Sequence, residues 1–227
     1  MAGLTAKFDL IDVRRIVDEL KGTPAEQSAA LAKFAQEEIA EADGINRRAY
    51  GKPIPHTTFV DGRETPNLAT VKPNGVIVAE WNFAEEIIAW CYKELRNQAP
   101  VLSGEYRDSI TIFADDVAVE SPAAAASAEQ VVIVATVPYA RKLEGIAGPK
   151  YMSSQAPDGI FQVVAAIAKK RFGNQAKIYY TFRGVRGRNS LESWAFSNAQ
   201  KRARGTGGFR RQFEKNIRNP AILIIFK

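Results

Sequence analysis

The residue types that most often carry enzyme chemistry are scarce in this chain. Its 227 residues include one histidine, His56, and one cysteine, Cys91. A Ser-His-Asp or Cys-His centre needs a histidine beside its nucleophile, and a zinc site needs several ligands, for which no CxxC or HExxH spacing is present. We expect His56 to be structural and Cys91, in an apolar helical stripe, to be a small buried hydrophobe.

Carboxylates and glycines offer no stronger candidate. The adjacent acids Glu85-Glu86 and Asp115-Asp116 fall on a predicted helix and a predicted turn, where acids are usually solvated. The run Gly205-Thr206-Gly207-Gly208, which we expect to be flexible, lacks the preceding strand that a phosphate-binding loop requires. We therefore predict that the protein is not an enzyme and uses no catalytic residue, no metal and no cofactor.

Positive charge is concentrated in one segment. The formal net charge is +6, yet residues 183–219 alone hold ten Lys or Arg and two Glu, a balance of +8. Such a segment indicates either an anionic partner or a solvated or subunit-facing arm. Its aromatic residues can stack on bases, but they are also what protein interfaces enrich, and no nucleic-acid fold signature accompanies them. The cations predicted to contact DNA in a channel or neighbouring subunits are Arg183, Arg186, Arg188, Lys201, Arg202, Arg204, Arg210 and Arg211.

The rest of the composition is that of an ordinary globular domain. Apolar residues make up 46% and charged residues 25%. A single cysteine excludes an internal disulfide and fits a reducing compartment. We expect neither a secretory signal nor a membrane-spanning helix, because the charged-then-apolar N-terminal pattern is missing and the apolar runs are short.

Helical stripes and turn signals predict the N-terminal part. Residues 8–20 carry an apolar stripe, and a capping box at Thr23 opens a second helix that ends at Gly44. Residues 45–74 are richer in Pro and Gly. Residues 45–81 predict a projecting excursion similar to a β-hairpin, with a turn at Asp61-Gly62 and a short strand near residues 68–72.

The remainder predicts the α+β class. A mostly antiparallel sheet would be packed by two main helices, near 83–97 and 160–172, with the N-terminal helices and the projecting excursion as additions. The apolar run at the C-terminal end must be buried in this sheet or against another subunit. The predicted strands lie near 106–120, 130–138, 178–183 and 221–226. The predicted divisions are N-terminal helices (1–44), excursion (45–81), core domain (82–182), basic arm (183–219) and C-terminal strand (220–227).

An ordered motif runs through residues 98–145. Its parts are Ala99-Pro100, Ser103-Gly104, Tyr106-Arg107, Ser109-Ile110, Tyr139-Ala140 and Glu144-Gly145. This pattern resembles that of the neck and tail-completion proteins of tailed bacteriophages, the minor tail proteins that close the tail tube and join it to the head. The resemblance covers about fifty residues in the middle of the chain. The apolar strand after Asn219-Pro220 fits the group too.

The motif has an intelligible physical basis. Pro100 would stop a helix, Ser103-Gly104 would make a tight turn, and Arg107 would pair with Glu144 near the strand ends. The residues assigned to assembly or to the core motif are Pro100, Ser103, Gly104, Arg107, Ser109, Tyr139, Glu144 and Gly145.

The resemblance implies a non-enzymatic structural protein of the virion neck, assembled in the host cytoplasm. It would form a homo-oligomeric ring, six-fold, that terminates the tail and contacts other neck or connector proteins and tail tube or sheath proteins. The basic segment would line the channel and meet packaged DNA, or grip acidic neighbouring subunits. The alternative function is sequence-independent nucleic-acid binding through residues 183–218.

Overall fold

The computed structural model describes residues 22–101, 103–145, 159–184, 190–203 and 205–226. These residues form seven α-helices and two antiparallel sheets, which confirms the predicted α+β class. The chain divides into two compact units, Met1–Asn82 and Phe83–Lys227. The helix predicted at 8–20 lies outside the described residues.

The first unit begins with a long helix, α1 (Pro24–Tyr50). The capping box is confirmed, because the Thr23 side chain accepts from the Glu26 N–H while the Glu26 carboxylate accepts from the Thr23 N–H. The predicted end at Gly44 is wrong. A mid-helix glycine costs only about 1 kcal/mol, and the left-handed conformation that ends the helix occurs at Gly51, where φ is 75°.

A three-stranded antiparallel sheet completes this unit. In the order β2-β1-β3, its strands are β1 (His56–Val60), β2 (Arg63–Glu64) and β3 (Ile77–Trp81). The predicted turn at Asp61-Gly62 joins β1 to β2, with φ positive at both residues. The short strand predicted near residue 68 is instead a 3-10 turn, Leu68–Thr70, because the Asn67 side chain caps the Ala69 N–H.

The single histidine packs within this unit. His56 Nδ1 lies 3.4 Å from Asp43 Oδ1, and the same carboxylate oxygen accepts from Trp81 Nε1 at 2.8 Å. The His56 and Trp81 rings lie 5.3 Å apart. These contacts join α1 to β1 and β3 and give His56 a structural place.

The second unit is built on a five-stranded antiparallel sheet in the order β5-β4-β6-β8-β7. Its strands are β4 (Ile110–Ala114), β5 (Val117–Val119), β6 (Gln130–Ala135), β7 (Ala176–Gly184) and β8 (Arg218–Phe226). The apolar C-terminal strand β8 lies between β6 and β7 and pairs with both. Of the two places predicted for this strand, the structure shows the main sheet.

Both faces of this sheet are apolar. The helices of the unit are α2 (Ala84–Gln98), α3 (Glu105–Asp108), α4 (Ala140–Leu143), α5 (Phe161–Phe172), α6 (Ser190–Arg202) and α7 (Gly205–Asn216). One face joins α2 and α5 in the main core, which includes Ile112, Ile133 and Ile222. The other carries a smaller cluster of Phe113, Val132, Val134, Ala221 and Leu223. Two buried faces explain the continuous apolar runs of β6 and β8.

Two local predictions in this unit are wrong. The long strand predicted at 106–120 begins only at Ile110, because Gly104 adopts a left-handed φ of 81° and the next four residues form α3 with Tyr106 buried. The glycine-rich run predicted as a flexible link begins helix α7. Packing of α7 residues against Leu191 and Ala195 of α6 outweighs the low helix propensity of glycine there.

Candidate functional site

The structure brings together the two halves of the motif, residues 99–110 and residues 139–145. Helix α2 ends at Gln98, two residues before Pro100, as predicted. The predicted tight turn follows, because Ser103 Oγ accepts from the Glu105 N–H at 3.4 Å and Gly104 is left-handed. Helix α3 then delivers a buried tyrosine to the core.

Tyr139 is the meeting point of the halves. Its hydroxyl donates to Glu105 Oε2 at 3.0 Å, across 34 positions of chain. Its ring lies 6.3 Å from the ring of Tyr106, tilted by 35°. Helix α4 starts directly after Tyr139, so this contact fixes α4 against α3.

Glu144 has a different partner from the one predicted. Its Oε1 atom accepts from the Ile160 and Phe161 N–H groups, each at 2.9 Å, and so caps the first turn of α5. Arg107 instead lies beside Asp108, with 3.9 Å between Nε and Oδ1. The predicted Arg107–Glu144 pair is therefore wrong. A carboxylate can be stabilised either by free N–H groups at the start of a helix or by a cation. The sequence alone does not show which of these two partners lies nearer to the Glu144 carboxylate.

Ser109 and Gly145 serve the backbone. The Ser109 carbonyl accepts from both the N–H and the hydroxyl of Thr136, each at 3.0 Å. The Thr136 carbonyl in turn accepts from the Leu191 N–H at 3.0 Å, which links β6 to the start of α6. Gly145 has φ of 72°, a conformation that glycine adopts without strain.

Burial sets the proton affinities in this cluster. It raises the pKa of Tyr106 well above its usual range, helped by the nearby Glu144 carboxylate. Burial, followed by the hydrogen bond to Glu105, raises the pKa of Tyr139 to about 12. Burial also raises the pKa of Tyr180, again with help from Glu144. The pKa of Glu144 itself is raised by burial, against the opposing effect of its N–H donors.

This arrangement is suited to holding elements together. The raised pKa values keep these phenols protonated near neutral pH, and the Tyr139 hydroxyl donates to Glu105. Oε1 of the partly buried Glu144 carboxylate accepts from two backbone N–H groups. The motif therefore forms a polar clamp between α3, α4 and the start of α5.

The basic segment is divided among several elements. Arg183 lies on β7, Lys201 and Arg202 end α6, and Arg210 and Arg211 lie on α7. Arg210 Nε contacts Glu214 Oε1 at 3.1 Å, an i,i+4 ion pair on the helix surface. The predicted contact residues Arg186, Arg188 and Arg204 lie outside the described residues.

Part of its aromatic content is used in packing. The Phe209 ring lies 5.3 Å from Phe196 and 6.1 Å from Phe213, so it joins α6 to α7. Phe213 also packs with Leu191. Trp194 and Phe196 remain 40% and 49% exposed. The aromatic residues of the basic segment therefore pack α6 against α7, and two of them also remain partly exposed.

Sequence reasoning missed three residues that hold this region. Glu105 accepts from Tyr139, Tyr180 joins the electrostatic cluster around Glu144, and the buried Asn219 side chain donates to two carbonyls. The Asn219-Pro220 pair was visible before the apolar strand. No local signal in the sequence showed that the Asn219 side chain would reach the carbonyls at the C-terminal end of β6.

Comparison with protein-family models, curated proteins and solved structures found no match to this chain. Within the described ranges, no group of three or more His, Cys, Asp or Glu side chains is placed to hold a metal ion. Nor does any helix in that part of the chain have the length and apolar character needed to cross a membrane.

Proposed function

We propose that this chain is a structural protein of the head–tail neck of a tailed bacteriophage. It assembles as a homo-oligomeric ring, six-fold, that terminates the tail and contacts connector proteins on one side and tail tube or sheath proteins on the other. It acts by assembly and not by catalysis. Its place is the virion neck, reached after assembly in the host cytoplasm.

The observation that carries this proposal is the union of the two motif halves. The residues that resemble the neck-protein pattern could have been scattered over the fold. Instead Glu105 and Tyr106 of the first half contact Tyr139 of the second. A sequence pattern whose parts form one packed structural unit is better support for the resemblance than the spacing alone.

Exposed apolar side chains support the oligomeric part of the proposal. In the second unit, Val101 and Val117 are 63% and 65% exposed, and Trp194 is 40% exposed. Val117 lies on β5, an edge strand of the sheet. Edge strands and large exposed apolar residues are features that contacts between subunits commonly use.

Imaging of particles made without the chain tests the proposal. A phage carrying a stop codon early in this reading frame is expected to yield heads and tails that accumulate unjoined in negative stain. Supplying the wild-type chain in trans should restore joined virions and serves as the control. Complete virions from the null phage would refute the proposal. Light scattering of the purified chain should give a closed oligomer.

A second candidate function is sequence-independent binding of nucleic acid through residues 183–218. It is favoured by the +8 balance of residues 183–219 and by the convergence of several cations on one cavity. A purified chain with this function alone would be monomeric or dimeric. It would bind random DNA with an affinity that falls steeply with salt.

A further inference from the structure

A cavity of about 450 Å³ opens on the second unit where α4, β7, α7 and β8 meet. Four of the six lining side chains are cations and one is a carboxylate, so the lining has a formal charge of +3. The cavity also has one apolar wall. The lining residues are Arg141, Phe182, Arg211, Glu214, Lys215 and Arg218.

The single carboxylate is engaged from outside the cavity. Glu214 Oε1 lies 3.1 Å from Nε of Arg210, which is not a lining residue. Among the described residues, none of the four lining cations is within 4.0 Å of a carboxylate. The cavity therefore presents cations whose charge is not cancelled by acids in the described part of the chain.

Arg141 is held in position before any ligand arrives. Its Nη1 donates to the Lys215 carbonyl at 3.0 Å, near the C-terminal end of α7 where the helix dipole favours a cation. Its guanidinium lies over the Phe182 ring, with Cζ 5.7 Å from the ring centre. A guanidinium has five N–H donors, so those not used on Lys215 form a fixed fork suited to phosphate.

The other cations surround this fork. Arg211 and Lys215 lie four residues apart on α7, so they occupy one face of the helix about 6 Å apart along its axis. Arg218 begins β8. All three side chains are exposed. They supply mobile charges beside one pre-positioned guanidinium.

We propose that this cavity binds backbone phosphates of double-stranded DNA without reading the base sequence. A DNA strand presents a phosphate about every 3.4 Å along the helix axis, so one molecule can satisfy several of these cations together. A protein surface mixes carboxylates with cations and supplies such a row less often. The inference deepens the second candidate function and rests on it for the choice of nucleic acid.

Binding of a labelled 30-base-pair duplex of random sequence to the purified full-length chain tests the proposal. Fluorescence anisotropy is measured from about 50 to 200 mM salt, the range over which phosphate contacts lose most affinity. The pocket variant is R211A/K215A, which removes two exposed side chains and leaves the Lys215 carbonyl in place. The matched control is K201A/R202A, which removes two exposed cations of the same segment outside the cavity.

The expected result is selective loss in the pocket variant. Its affinity should fall by about ten-fold at the lower salt, and its salt slope should decrease by about two, one for each lost phosphate contact. The control should stay close to wild type. The charge-conserving variant R211K should keep the wild-type slope, and equal thermal unfolding of all variants excludes loss of fold.

Three results would overturn the proposal. Equal loss in the pocket and control variants would mean that charge is diffuse over the segment, while the second candidate function would survive. No salt-dependent binding by the wild-type chain would remove that function and the pocket with it. Tight binding of polyglutamate or of inorganic phosphate, with none of duplex, would assign the cavity to an acidic protein or to the free ion.

Discussion

The side-chain Nδ2 of Asn219 lies 2.7 Å from the carbonyl oxygen of Ala135, a residue 84 positions earlier. The same nitrogen also donates to the Val137 carbonyl at 2.7 Å. Asn219 is fully buried, with no exposed surface. One amide group therefore fixes the chain as it leaves β6 to the strand that pairs with it.

Replacing this amide should destabilise the second unit. Asn219→Ala removes two hydrogen bonds from buried carbonyls, and we expect the free energy of unfolding to fall by about 2 kcal/mol. Urea unfolding with an unchanged slope measures it. Asn216→Ala is the control, because Asn216 is similarly buried and its side-chain oxygen accepts from Gln212 of the same helix instead of joining two strands. Equal losses in the two variants would contradict the assignment.

Gly159→Ala should cost more than Gly104→Ala. Both glycines have φ of 81°, so both substitutions carry the same backbone penalty of about 1–2 kcal/mol. A Cβ at Gly159 would lie 2.8 Å from Glu144 Oε2, whereas at Gly104 the nearest atom is Asp108 Oδ2 at 3.7 Å. The additional loss of stability in Gly159→Ala is expected because the new methyl group would displace the Glu144 carboxylate from the start of α5.

Thermal unfolding of the two glycine variants measures this difference. A double-mutant cycle with Glu144→Ala identifies its cause. The additional loss in Gly159→Ala should disappear once the carboxylate is gone. If it persists, the clash with Glu144 is not its source.

The stability contributed by Glu144 should depend on pH with an unusual sign. Burial raises the pKa of this carboxyl above 4.5, so the folded chain binds its proton more tightly than the unfolded chain does. That contribution is fully present below pH 4.5 and is lost as the pH rises through the folded value. Relative to Glu144→Gln, the wild type should gain stability as the pH falls toward 4.5, by at most about 1.4 kcal/mol per unit.

Glu26 provides the opposite control. The Thr23 N–H, followed by the Thr23 hydroxyl, lowers the pKa of Glu26, so its contribution is present above pH 4.5 and is lost as the pH falls. Urea unfolding of Glu144→Gln and Glu26→Gln between about pH 3 and 8 should therefore give differences from wild type that change in opposite directions. A flat difference for Glu144→Gln would contradict its burial.

The single thiol should be inert in the folded chain. Cys91 is completely buried in the main core, and burial raises its pKa to about 12, so very little thiolate exists at pH 8. A colorimetric disulfide reagent should label no thiol in native protein and one per chain in urea. Cys91→Ser should destabilise by about 1–3 kcal/mol because its hydroxyl is buried among apolar groups, and Cys91→Ala should cost less. Rapid labelling of native protein would contradict this.

Signals confined to a few adjacent residues were the ones that could be predicted. The Thr23–Glu26 capping box and the Asp61-Gly62 turn are local devices, and both occur as expected. The end of α1 could not be predicted from the presence of Gly44, because a glycine stops a helix in this way only where the chain adopts a left-handed conformation. In this helix that happens at Gly51.

Contacts set by sheet pairing could not be predicted. Glu144 and Arg107 have opposite charge and flank paired strands, which suggested an ion pair, yet the N–H groups of α5 lie nearer to the carboxylate. Arg141 and Lys215 are 74 positions apart. They meet because the end of β6 pairs with the start of β8, an arrangement that no periodicity in either segment encodes.

The central position of β8 also has a consequence for synthesis of the protein. Strands β6 and β7 have no direct pairing and are joined only through β8. While the ribosome is still adding residues before 218, β6 therefore presents an open apolar edge and β7 has no partner in its sheet. We expect the nascent chain to need shielding for that interval, and we expect the five-stranded sheet to close only once β8 has emerged.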